Sequence, residues 1–88
     1  MTTAWLLMAQ YEGMAVIPIE RVAVDHFGVE KGGLPRFLGK IEAGEIPLPI
    51  TRMERSQKGL RGVHLLDLAA YIDARRETGQ KELMQMRS

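Results

Sequence analysis

The chain has 88 residues, a net charge of +1, no cysteine and only two histidines. That length suits one domain with a modest core. The composition excludes a disulfide scaffold, a thiolate metal site and a histidine-based metal cluster. No arrangement of Ser, His and Asp has the spacing of a nucleophilic triad, so no enzyme and no cofactor are expected. The longest apolar run, Ala4 to Ala9, is too short to span a bilayer, and the start lacks the basic region of a signal peptide. A cytoplasmic protein is expected.

In chain order, Thr3 to Gly13 reads as a first helix. Thr3 can cap it, Leu6, Leu7 and Tyr11 give partial helical spacing, and Gly13 can end it. A strand with Trp5, Leu7 and Ala9 on one face is the competing reading. Met14 to Pro18 reads as an extended connection. Pro18 suits the first position of a second helix, in which Ile19, Val22, Ala23 and Phe27 form one apolar stripe closed by Gly28.

Val29 to Gly33 reads as a turn. A further helix from Leu34 to Ala43 carries Leu34, Phe37, Leu38 and Ile41 on its buried stripe and ends at Gly44. Gly39 inside it costs about 1 kcal/mol relative to alanine. Two short helices joined by a glycine-containing turn match a helix-turn-helix.

Ile46 to Arg52 reads as an extended edge strand, because Pro47 and Pro49 forbid helix. A basic loop from Glu54 to Leu60 follows. Val63 to Leu65 can pair back as a second strand. The last helix opens at Leu66 or Asp67 and runs through Arg76, with Leu68, Ala69 and Ile72 facing inward. Thr78 and Gly79 can interrupt it, and the tail from Gln80 to Ser88 either continues as helix or frays. Residues 77–88 are thus expected as an extension of a single domain spanning 1–88. The order predicts a mainly α fold with a small β-hairpin, a winged helix-turn-helix of excisionase or MerR-like type.

Between Lys31 and Arg61 seven basic residues face three acidic ones, whereas the first thirty residues hold four acidic and one basic. Positive charge is therefore concentrated where the helix and the hairpin are expected. Arg36 and Lys40, four apart, can share one groove, where arginine and lysine read guanine or contact phosphate. Arg52, Arg55, Ser56, Gln57, Lys58 and Arg61 supply cations, hydroxyl and amide donors for phosphate, and Lys31 adds to the set. The competing reading for all of these is a solvated surface. His64 is expected to be structural. Trp5, Tyr11, Phe27 and Phe37 are expected in the core, and Arg75 and Arg76 on a solvated helix end.

Several segments resemble one known family. They include Trp5-Leu6-Leu7-Met8-Ala9-Gln10-Tyr11-Glu12-Gly13, Lys40-Ile41-Glu42-Ala43-Gly44-Glu45-Ile46-Pro47-Leu48-Pro49 and Gly62-Val63-His64-Leu65-Leu66-Asp67-Leu68-Ala69-Ala70-Tyr71-Ile72-Asp73. The chain resembles the pyocin activator (PrtN-type) proteins, and its wider pattern resembles excisionase and AlpA-type winged helices. The resemblance implies activation of prophage or bacteriocin genes by binding double-stranded DNA at promoters. RNA polymerase is a further partner to consider, and modules this small gain affinity as homodimers or by cooperative assembly on repeated sites. The alternatives are an excisionase-like architectural protein and a small phage protein that binds a host factor.

Overall fold

The computed structural model describes residues 2–55 and 59–87. Its elements run α1 (Thr3–Gln10), β1 (Val16–Pro18), α2 (Ile19–Phe27), α3 (Leu34–Glu42), β2 (Thr51–Arg52), β3 (Arg61–His64) and α4 (Leu65–Arg87). This mainly helical fold with a small antiparallel sheet is compatible with a winged helix-turn-helix. The strands lie in the order β1-β3-β2, so β3 is central and both partners are edges.

α1 is a helix, not the strand that alternation allowed. Its N-cap is Thr2 rather than Thr3: the Thr2 hydroxyl accepts from the Trp5 N–H at 3.2 Å. The Thr3 hydroxyl instead donates to Asp73 of α4. Nearly every position of α1 is apolar, so spacing alone could not say which face is buried. Leu7 goes inward, while Leu6 and Trp5 are exposed, contrary to the expectation for both.

The segment expected as a plain connection is β1. It pairs with β3 in the register Val16↔His64, Ile17↔Val63, Pro18↔Gly62. Pro18 ends that strand and serves as N-cap of α2, so the helix begins at Ile19, one residue later than expected. α2 buries Ile19, Val22 and Ala23, and ends on Gly28 in the left-handed conformation (φ 61°) that glycine adopts without strain.

Helix α3 buries Phe37 and half-buries Leu34, Leu38 and Ile41, as its spacing required. Three rings bind three helices together. Phe27 of α2 lies 4.8 Å from Phe37 of α3 and 5.5 Å from Tyr71 of α4, centroid to centroid. Tilted pairs at such distances add to the stability of simple burial.

The strand expected over 46–52 is hydrogen-bonded only at Thr51–Arg52. Pro47 and Pro49 have no N–H to give, and the Leu48 N–H turns locally to the Ile46 carbonyl at 2.8 Å while its side chain enters the core. β3 begins earlier than expected, at Arg61, and Leu65 already belongs to α4. The His64 Nδ1 accepts from the Leu66 N–H at 3.1 Å, which gives that histidine a structural role at the start of α4. Thr78 and Gly79 do not interrupt α4. The Thr78 hydroxyl bonds the Ala74 carbonyl one turn back, and the helix continues to Arg87.

A polar brace fixes α1 to α2. The buried Tyr11, which caps the C-terminus of α1, donates its hydroxyl to Asp25 Oδ2 at 2.8 Å and meets His26 Nε2 at 2.9 Å. The Arg21 guanidinium lies over its ring at 4.9 Å. Burial first, then the Asp25 carboxylate, pushes the Tyr11 phenol up to about 12. Burial lowers the His26 pKa below its usual 6.5, against the opposing pull of Asp25.

Candidate nucleic-acid interface

The turn between α2 and α3 is held by two backbone bonds: the Val29 N–H to the Ala23 carbonyl at 3.1 Å, and the Gly33 N–H to the Glu30 carbonyl at 2.9 Å. Lys31 is exposed at its tip. With Phe37 anchored below, Arg36 and Lys40 fall on one exposed side of α3. Both border an open cleft of about 380 Å³ whose floor includes Phe27, Val29, Phe37 and Ile46. The structure therefore brings Arg36 and Lys40 together as their four-residue spacing required.

The hairpin builds the second basic surface. β2 pairs with β3 in the register Thr51↔Gly62 and Arg52↔Arg61, and the Met53 N–H extends the ladder to the Leu60 carbonyl at 3.0 Å. Directly opposed residues project from the same face of an antiparallel pair. Two guanidinium side chains thus leave the sheet side by side. Arg52 is exposed and Arg61 half-buried. Arg55 is exposed beyond them. Ser56, Gln57 and Lys58, also expected at the site, lie outside the described residues.

Gly62 makes this geometry possible. A Cβ there would sit 2.2 Å from the Ile17 carbonyl oxygen, so only glycine lets β1 and β3 approach at that point. A Cβ on Gly59 would meet the Glu54 side chain at 2.3 Å, which shows that side chain folded over the end of the loop.

Among the described residues the only ion pair joins Lys81 to Glu77, at 3.4 Å on α4. The basic residues of α3 and the hairpin accordingly carry no carboxylate partner within that set. No group of three His, Asp or Glu among the described residues could hold a metal. Likewise, no helix among them is long and apolar enough to cross a membrane.

A surface that sequence reasoning missed is the exposed apolar side of α1, where Trp5, Leu6, Met8, Ala9 and Gly13 line a second open cleft of about 500 Å³. The available signal was the excess of apolar residues over what one buried stripe needs.

A family model described as pyocin activator protein PrtN matches residues 3–79. The chain belongs to that family. The matched stretch contains α1, the whole sheet, α2, α3 and α4 as far as Gly79. It is a family of regulatory activators and not an enzyme family. No curated protein and no solved structure matches the chain.

Proposed function

We propose that this chain activates transcription of prophage or bacteriocin genes by binding promoter DNA directly, in the cytoplasm. α3 enters the major groove and presents Arg36 and Lys40 to base edges or phosphates. The β2–β3 hairpin lies along the phosphate backbone, with Arg52, Arg55, Lys58 and Arg61 as cations, Ser56 and Gln57 as neutral donors, and Lys31 beside α3. Hairpin contacts position the protein, and α3 chooses the sequence.

The observation that carries this reading is the opposition of Arg52 and Arg61 across the strand pair. Like charges placed directly opposite each other destabilise a sheet unless an anion is held between them. A row of DNA phosphates is such an anion. Membership of an activator family supports the same reading.

The test is genome-wide recovery of DNA bound by the protein in its own host. Shared promoter repeats ahead of prophage or bacteriocin genes would support the activator. Sites flanking an integrase gene would support an architectural, excisionase-like role instead. A lack of enriched DNA would leave binding to a host protein as the better reading.

A further inference from the structure

Helix α1 buries Leu7 and leaves Trp5 60% and Leu6 55% exposed. With Met8, Ala9 and Gly13 they line the open cleft of about 500 Å³. No residue of α3 or of the hairpin lines that cleft, so a molecule seated in it takes nothing from the basic surface. Large apolar groups gathered on a surface mark a contact with another molecule, and tryptophan and methionine are enriched where proteins meet.

The end of α1 shows the charge that such a molecule must bring. The helix closes with a bond from the Gly13 N–H to the Met8 carbonyl at 2.8 Å. Tyr11 is the C-cap, so Glu12 holds the following position, where glycine is usual. Glu12 is left-handed there (φ 53°), the only residue other than glycine to be so among the described residues. Its carboxylate also stands at the negative end of the helix dipole. Both features work against folding. Glu12 is exposed and makes no ion pair among the described residues. Strain kept at an exposed, unpaired charge points to a role outside the fold.

From Thr2 to Ile19, Glu12 is the only charged side chain. A second copy of this face would bring it only another Glu12, and a membrane of anionic lipids would repel it. A protein segment with a large apolar side chain for the cleft and a Lys or Arg for Glu12 satisfies both halves of the surface.

We propose that the α1 cleft and Glu12 together hold RNA polymerase, through a basic and apolar segment of that enzyme. The choice of polymerase rests on the promoter-bound activator proposed above. Such an activator works by touching the enzyme that transcribes, and with α3 and the hairpin given to DNA, α1 is the free apolar face. Binding energy at such a surface concentrates in a few anchors, here Trp5 and Leu6, with Glu12 fixing the orientation.

The test is binding of the fluorescently labelled full chain to purified RNA polymerase holoenzyme of the host, read by anisotropy. It uses no DNA, so its failure is separate from failure to bind a promoter. The wild-type chain should bind. Leu6→Ser and Glu12→Lys should each weaken binding by about tenfold or more, as loss of an anchor does. Leu83→Ser, a change at a similarly exposed apolar residue of α4, should leave it unchanged. Glu12→Gly should weaken binding and raise the melting temperature, because it relieves the left-handed strain and removes the charge from the helix end. No binding by the wild-type chain would overturn the proposal, as would Leu6→Ser and Glu12→Lys variants that bind like it. A more stable Glu12→Gly variant with full binding would likewise overturn it. So would sedimentation as a dimer that Leu6→Ser abolishes, since a second copy would then occupy the cleft.

Discussion

Arg52 and Arg61 face each other across β2 and β3, and neither pairs with a carboxylate among the described residues. In the free protein this pair works against folding, by roughly 0.2–1 kcal/mol on the scale of cross-strand pairs. Arg52→Ala should therefore leave thermal stability unchanged or slightly raised. It should also weaken DNA binding and flatten the slope of log affinity against log salt by about 0.9 for each phosphate that is no longer neutralised. Arg55→Ala with Lys58→Ala should weaken binding to all sequences alike, again with a shallower slope. A variant that loses stability and keeps its salt slope would make the pair a structural element of the sheet.

Two glycines should respond in opposite directions. Gly62→Ala drives a methyl group into the Ile17 carbonyl, and forcing atoms together in this way costs about 1–3 kcal/mol or more. At roughly 4–8 °C per kcal/mol the melting temperature should fall visibly. Gly39 is exposed in mid-helix with open space around its Cβ position. Gly39→Ala should stabilise by up to about 1 kcal/mol. Paired melts of the two variants check both statements.

The brace at Tyr11 gives stability a pH dependence. Removing its hydroxyl with Tyr11→Phe should cost about 1.5–3 kcal/mol, read by denaturant unfolding, since one of its partners is a carboxylate. The His26 pKa is depressed in the folded state. Its contribution is complete above the unfolded value of 6.5 and is lost as the pH falls through the folded pKa, because the unfolded chain takes up the proton first. The Tyr11 phenol is raised to about 12 from 10, so its contribution is complete below pH 10 and is lost as the pH rises through about 12. Tyr11→Phe should shrink that alkaline loss. An alkaline limb of the same size in the variant would assign it elsewhere.

The elements most legible in the sequence were those with one clear stripe. α2 and α3 each carry apolar residues at helical spacing and a glycine at the end, and their limits were readable within a residue or so. β1 was missed as a strand because three residues carry too little pattern, and only pairing with β3 through Gly62 makes them one. α1 misled over Trp5 and Leu6, since a helix apolar on most sides gives no preferred face. Thr78 and Gly79 suggested a break that the hydrogen bond from Thr78 to Ala74 bridges. For the interface, spacing was enough to group Arg36 with Lys40. The opposition of Arg52 and Arg61 depends on hairpin register, which no local pattern stated.

The most direct test of direct, sequence-reading DNA binding is the affinity of the purified chain for a recovered promoter duplex and for a scrambled one, with Arg36→Ala alongside. The wild-type chain should prefer the promoter. Arg36→Ala should lose roughly 1–3 kcal/mol on the promoter, as expected when one bidentate base contact is removed, and little on the scrambled duplex. Equal affinity of the wild-type chain for both duplexes, or no binding to either, would contradict the account.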